Sequence, residues 1–363
     1  MNAVPAPESG PDAGAVWHYG DPLGEQRAAT TEAVVVDRGH RATIELTGAD
    51  RQTWLHSISS QHVSALHDGA VVQNLSLDGQ GRVEDHWQQT ELNDATTLDT
   101  ESWRGQPLAD FLRKMVFWSK VEVTPTDLAV LSLLGPAANE LDLPAPADEW
   151  RAAALPDGGF VRRVGPQQLD LVVPRAEKVQ WLQRLAQAGV RPAGVWAYEA
   201  LRAAARIPRL GVDTDERTIP HEVGWIGGPG VGAVHLDKGC YRGQETVARV
   251  HNLGKPPRML VLLHLDGGSD RPTTGDPVLA GGRAVGRLGT VADHVDLGPI
   301  ALALIKRAVP ADTALTTGGD VEVPAVIDAD SLPTDDGVGA GRLAVERLRA
   351  GEGGLPASPR PAR

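Results

Sequence analysis

The sequence predicts an α+β protein: antiparallel sheets with packed helices, followed by a small β-barrel near the C-terminus. Three patterns carry this. Residues 71–77 and 82–92 alternate polar and apolar and are separated by Asp78-Gly79-Gln80-Gly81, which reads as a hairpin. Residues 175–188 form a clear amphipathic helix stopped by Gly189. From residue 258 to about 324 the chain becomes short apolar runs broken by Gly and Asp, as in a small barrel.

In chain order, residues 33–36 and 43–46 read as short strands. Thr47-Gly48-Ala49-Asp50 then resembles a capping box opening a helix, with Trp54, Leu55 and Ile58 on its buried face. After the hairpin, residues 108–118 place Leu108, Phe111, Leu112, Met115 and Val116 on one side of a helix. Strands are expected at 121–123, 129–134, 159–164 and 169–173, with a proline-bearing surface connection over 136–150. A helix over 194–206 ends before Pro208. Residues 207–236 are loop-rich, and barrel strands are expected at 259–265, 277–279, 283–291 and 300–305. Residues 328–336 read as an acidic linker, 341–349 as a short helix and 351–363 as disordered in composition. The expected division is a disordered tail at 1–30, an N-terminal α+β region at 31–254, the barrel at 255–327 and a final linker, helix and tail at 328–363.

Composition narrows the function. Among 363 residues Cys240 is the one cysteine, so no disulfide forms within the chain, and the chain alone lacks the thiolates of a zinc ribbon or an iron-sulfur cluster. A reducing compartment, the cytoplasm, is the expected location. The net charge of -12 argues against a broad grip on nucleic acid. The longest apolar runs fall far short of a membrane span, and residues 1–14 have no signal-peptide pattern. The histidines are scattered without metal-helix spacing, so no metal site is expected. Gly228-Pro229-Gly230-Val231-Gly232 lacks the spacing and the Lys-Ser/Thr ending of a phosphate loop.

The most informative stretch is Lys238-Gly239-Cys240-Tyr241-Arg242-Gly243-Gln244-Glu245. Gly239 and Gly243 permit backbone geometries closed to other residues, and residues 244–250 suit a short helix. A thiol just before a helix start, beside Lys238 and Arg242, is favoured as thiolate unless it is buried in apolar surroundings, which acts the other way. The plain alternative is a small buried hydrophobe, the commoner fate of a free cysteine.

This octapeptide matches every fixed position of the Lys-Gly-Cys-Tyr-x-Gly-Gln-Glu signature, and on it the chain resembles the YgfZ family, relatives of the folate-binding T-protein of the glycine cleavage system. The resemblance extends over roughly residues 33–326, through Ile44-Glu45-Leu46-Thr47-Gly48-Ala49-Asp50, Gly81-Arg82-Val83, Ile219-Pro220-His221-Glu222, Gly286-Arg287-Leu288-Gly289-Thr290-Val291 and Gly298-Pro299-Ile300-Ala301. It implies a T-protein-like fold around a central opening of folate size, with residues 31–254 forming two intertwined α+β subdomains. It also implies tetrahydrofolate or a folate derivative as cofactor. The implied role is support of iron-sulfur cluster assembly or repair, with iron-sulfur enzymes, including cluster-dependent tRNA-modifying enzymes, or cluster-assembly proteins as partners, and Cys240 as the key group.

The alternative is a tetrahydrofolate-dependent aminomethyltransferase; whether the protein is an enzyme stays open. The T-protein pattern Gly-Gly-Ile-x-Asp-Asp corresponds to Gly81-Arg82-Val83-Glu84-Asp85-His86, which keeps Asp85 as a folate ligand and replaces the second acid with His86. Arg-Leu-Glu-Ala-Gly corresponds to Arg202-Ala203-Ala204-Ala205-Arg206, which loses the pterin-contacting acid and sets Arg206 where glycine is usual. Arg249 and Arg258 are candidates for the anionic glutamate tail, and Trp196, with Trp225, for stacking on the ring.

Overall fold

The computed structural model describes residues 2–332. The expected helix over 341–349 and the tail at 351–363 lie outside the described residues, as does the linker beyond 332.

The chain opens with a small hairpin, β1 (Val4–Pro5) and β2 (Val16–His18), and helix α1 (Pro22–Thr31). Strand β3 (Val34–Asp37) starts one sheet, but the chain then leaves it to build another from β4 (Ala42–Thr47), β5 (Val71–Leu77), β6 (Val83–Leu92), β7 (Ala95–Thr100) and β8 (Glu122–Thr126). Helices α2 (Arg51–Ile58) and α3 (Gly105–Lys114) belong to this excursion. The chain returns through β9 (Leu128–Leu134), β10 (Arg151–Ala154), β11 (Phe160–Gly165), β12 (Gln168–Pro174), helix α4 (Lys178–Gln187), β13 (Arg191–Ala193) and helix α5 (Val195–Ala204). The first sheet runs β10-β11-β12-β9-β3-β13 and the second β5-β6-β7-β4-β8; β13 against β3 is the one parallel pairing in either.

After a long loop and helix α6 (Gln244–Leu253), strands β14 (Arg258–Leu265), β15 (Pro277–Ala280), β16 (Arg283–His294), β17 (Gly298–Lys306), β18 (Leu315–Thr317) and β19 (Val323–Ile327) close a barrel in the order β14-β17-β16-β15-β18-β19. Each body has its own core: Leu131, Leu169, Leu171 and Trp181 in the first, Leu46, Leu55, Trp87, Leu98 and Leu112 in the second, Val261, Leu288 and Ile305 in the barrel. Burying side chains of this size contributes roughly 1.5–3 kcal/mol each.

Several details depart from expectation. The tail expected at 1–30 is folded: Ala6, Ala15, Ala28 and Ala29 pack with Val34, Val36 and Val195, and Asp12 is buried. Small side chains let backbones approach closely; a Cβ on Gly194 would lie 2.0 Å from the Trp17 carbonyl. Composition counts few large apolar residues there and misses this tight packing. Asp50 sits at the N-cap of α2 without capping it, because its Oδ2 accepts the Lys120 N–H at 2.8 Å instead. Helix α3 stops at Lys114, and Phe117 (φ +44°) turns the chain so that Phe117 and Trp118 are exposed. Strand β7 was not expected, though its turn, Asn93 and Asp94 at φ +52° and +60°, has the residue types of a tight hairpin.

Candidate functional site

The site is built on the β5-β6 hairpin and on the loop that carries the octapeptide. The Asp78 carboxylate accepts the N–H groups of Gln80 and Arg82, both at 2.8 Å, and Gly81 takes φ +76°, which tightens the hairpin tip. Gly243 seats against this tip at φ +83°, where a Cβ would fall 2.6 Å from the Asp78 carbonyl oxygen and 2.8 Å from Gly81 Cα. Thr246 of α6 closes over Gly81 from the same side.

Lys238 anchors the other end of the loop. It is buried, and its ammonium donates to the carbonyls of His56, Ser59 and Gln61, at and just past the end of α2. Burial pushes this lysine down to about 8, and the same cause pushes the Tyr241 phenol up to about 12. The Lys238 ammonium lies 5.0 Å from the centre of the Tyr241 ring. Gln244 reaches back to the Lys238 carbonyl at 3.4 Å. Cys240 is exposed between these anchors, three residues before the Gly243 N-cap of α6. The buried-hydrophobe alternative does not describe it.

Beside this loop lies a cavity of about 980 Å³, lined by Asp78 and Arg82 of the hairpin tip, Val83, Glu84 and Asp85 of β6, Trp103, Arg104, Phe111 of α3, residues 210–211 and 214–216, Arg242 and Arg287 of β16. Small-molecule sites commonly fall between 300 and about 1,000 Å³. Arg242 therefore takes the octapeptide into the cavity wall, where it pairs with Glu84 at 3.0 Å. The Trp103 indole packs on Gly211 (φ +74°), where a Cβ would meet it at 3.1 Å.

Asp85 is 2% exposed and both its oxygens are engaged: Ser76 Oγ donates to Oδ2 at 2.9 Å and Arg104 Nε to Oδ1 at 2.6 Å. His86 is stacked on Trp225, centroids 4.7 Å apart and planes 7° off parallel, with Nε2 3.0 Å from Gln73 Oε1. Burial, then the charge of Arg41, lowers it to about 4, so it is neutral at pH 7. Ala204, where the T-protein pattern has its acid, packs on the cluster of Ala200, Leu262 and Leu302 that joins α5 to the barrel. Arg206 adopts φ +58°, the left-handed conformation in which glycine is usual, and its guanidinium donates to the Asp330 carbonyl.

The other sequence candidates lie elsewhere. Arg258 spends its guanidinium on Asp215 (2.6 and 3.1 Å) and Glu222 (2.8 and 2.8 Å), standing behind Asp215 of the cavity lining. Burial raises the Asp215 carboxyl, but hydrogen bonds from Arg258 and Thr218 outweigh it and bring the group to about 2. Arg249 pairs with Glu245 at 3.0 Å on the exposed face of α6. Trp196 stacks on Trp17 at 5.8 Å, outside the cavity lining, and Trp225 is buried. Instead Trp103, Arg104, Phe111 and Arg287 reach the cavity. No local motif marks these four as cavity residues: Arg287 lies in a stretch read for the barrel and Phe111 on a helix face read as buried, and segments far apart in sequence bring them together.

Sequence reasoning also missed a buried ionic network that joins the bodies. Arg209 pairs with Asp12 (2.9 Å), Glu101 (2.8 Å) and Glu199 (3.2 Å), and Arg41 links Glu101 to Asp99. Arg162 continues from Asp99 to Asp170. Arg202 joins Glu199 to Asp213, whose Oδ1 accepts the Thr290 N–H of the barrel at 2.7 Å. Among the described residues no group of His, Cys, Asp and Glu is arranged to hold a metal, and no helix is long and apolar enough to cross a membrane.

The fold is that of the T-protein. The glycine cleavage system aminomethyltransferase T from Bartonella henselae superposes with a TM-score of 0.76 over 91% of this chain and 94% of its own, at 18% identity. An aminomethyltransferase of Chromobacterium violaceum is 30% identical over 227 residues, 57% of this chain and 61% of that protein. The tRNA-modifying protein YgfZ of Vibrio vulnificus is 27% identical over 266 residues, 73% of this chain and 79% of its own length. No protein-family model matches the chain. The chain is thus similar in sequence to both YgfZ and aminomethyltransferase proteins and in fold to the T-protein, and its match with the Chromobacterium aminomethyltransferase spans less than two thirds of that relative.

Proposed function

We propose that this protein binds a reduced folate in the cavity and supports the assembly or repair of iron-sulfur enzymes, cluster-dependent tRNA-modifying enzymes among them, through the Cys240 thiol. One observation carries the reading: the octapeptide is pinned by buried Lys238 at one end and enters the cavity wall through Arg242, leaving Cys240 exposed between the two. The residues present suit a folate. Trp103 and Phe111 offer aromatic walls for a flat ring, and Arg82 and Arg287 partners for carboxylates. The test is Cys240→Ala in a strain lacking the protein. Cluster-dependent activities are expected to fail as in the deletion; full rescue would remove the thiol from the function. Titration with tetrahydrofolate under reducing, anaerobic conditions tests the folate half independently.

A second reading, a tetrahydrofolate-dependent aminomethyltransferase, is favoured by the 30% identical relative of that name. Two features speak for binding without transfer. The acid of the T-protein pattern is Ala204 in this chain, and the carboxylate that remains, Asp85, is held by Ser76 and Arg104. Purified protein given aminomethylated carrier protein and tetrahydrofolate is expected to show no turnover; methylene-tetrahydrofolate formation would reinstate the enzyme.

A further inference from the structure

A second cavity, a groove of about 480 Å³, lies between α1, α5 and the turn joining β11 to β12. Its lining is mainly apolar, with Leu134, Val164, Tyr198, Leu201, Ala205 and Ile207 contributing, and Ile207 is 51% exposed. Two charged side chains reach it. Arg202 is already held by Glu199 and Asp213. Glu149 is exposed and has no ion-pair partner among the described residues, and Asp142 and Asp148 stand exposed on the same connection between β9 and β10. Apolar lining beside unpaired acid suits a segment that is itself apolar on one face and cationic at its flanks.

The chain leaves the barrel beside this groove. Leu332 packs on the barrel core, and the turn before it is tied down. His264 Nε2 lies 3.0 Å from Asp328 Oδ2, Ser331 Oγ donates to the Asp328 carbonyl at 2.6 Å, and the Arg206 guanidinium donates to the Asp330 carbonyl. Arg206 stands between Ala205 and Ile207, both of the groove lining. From that fixed point residues 333–340 reach up to roughly 26 Å when extended. Residues 341–349 then read Gly341-Arg342-Leu343-Ala344-Val345-Glu346-Arg347-Leu348-Arg349. At helical spacing Ala344, Val345 and Leu348 share one face, with Arg347 and Arg349 flanking it. The stretch holds three arginines against one glutamate, in a chain whose net charge is -12.

We infer that residues 341–349 dock in this groove, Val345 and Leu348 inward and the arginines towards Glu149 and its acidic neighbours, as a strap from the barrel to α1 and α5. No residue lines both this groove and the cavity beside the octapeptide, so the strap stands apart from the folate reading.

The experiment is amide hydrogen exchange, read by mass spectrometry, on the full chain and on full-length Val345→Asp/Leu348→Asp and Ile207→Asp proteins, whose folding is checked by circular dichroism. Glu149→Lys, which reverses a charge at the groove and keeps its apolar lining, carries the same comparison if Ile207→Asp unfolds. In the unaltered protein, exchange within 341–349 is expected to run at least tenfold slower than in an unstructured chain. The tail variant and the groove variant should each return it towards the unstructured rate. Unstructured-rate exchange in the unaltered protein, or slow exchange that survives the groove variant, would overturn the strap. Protection that rises with protein concentration, alongside a dimer in sedimentation, would seat the segment on a second copy and overturn it equally.

Discussion

Replacing Gly243 with alanine tests whether the octapeptide is held by backbone fit or by its side chains. Gly243 sits at φ +83°, and an alanine Cβ there would lie 2.6 Å from the Asp78 carbonyl oxygen and 2.8 Å from Gly81 Cα. The left-handed conformation costs an L-residue roughly 1–2 kcal/mol. Forcing two backbones apart adds roughly 1–3 kcal/mol, as in overpacked interiors. Restricting the unfolded chain returns roughly 0.4–1 kcal/mol. The expected net loss is therefore about 1–4.6 kcal/mol, and the hairpin tip bearing Arg82 shifts with it. Gly239, four residues earlier in the octapeptide, has nothing within 4 Å of its Cβ position and no positive φ. Gly239→Ala is expected to leave stability unchanged or raise it by up to about 1 kcal/mol. Urea unfolding of the two variants supplies the comparison. Losses within about 0.5 kcal/mol of each other, a spread ordinary for neutral surface substitutions, would refute the assignment of the strain to Gly243.

Arg209→Met leaves the buried carboxylates of Asp12, Glu101 and Glu199 short of a partner; breaking a buried ion pair costs roughly 3–5 kcal/mol, and a thermal melt little changed from the original would show the network to be energetically idle. Acid should destabilise the fold between pH 6.5 and 4. His86 and His221, both lowered to about 4 chiefly by burial, stay neutral in the folded state while the unfolded chain takes up protons from about 6.5 downward. Each removes at most about 3 kcal/mol by pH 4, and His86→Gln should flatten the fall in melting temperature between pH 7 and 4.5. Trp103→Ala should weaken tetrahydrofolate binding about tenfold, the scale of one aromatic contact, whereas Trp196→Ala should leave it unchanged; the opposite order would move the pterin site towards Trp17 and Trp196.

Much of this protein was legible before folding was considered. Residues 71–77 and 82–92 alternate as strands must, and Gly189 closes a helix that the structure contains, whereas α5 stops at Ala204 and turns at Arg206 before Pro208 is reached. The barrel runs are apolar because they face a closed interior. These features are local: period and turn chemistry act within a few residues, so they survive in a linear reading. The octapeptide likewise pointed to one wall of the cavity, through Arg242, and the T-protein pattern pointed to Asp85, which also lines it.

Tertiary structure alone decided which side chains meet. Gly239 and Gly243 are equivalent as letters, and only the approach of the hairpin tip makes one of them irreplaceable. Trp103 outranks Trp196 at the cavity because Gly211, more than a hundred residues later, leaves room for its indole. Arg258 was a reasonable anion ligand until Asp215 and Glu222 folded against it, while Arg82, inside a motif read only for its turn, kept its charge free. Asp12 shows the same logic in a segment whose composition reads as a tail. Its carboxylate is buried because Arg209 waits for it across the fold, and charge pairing between residues 197 positions apart leaves no periodicity in the sequence to read.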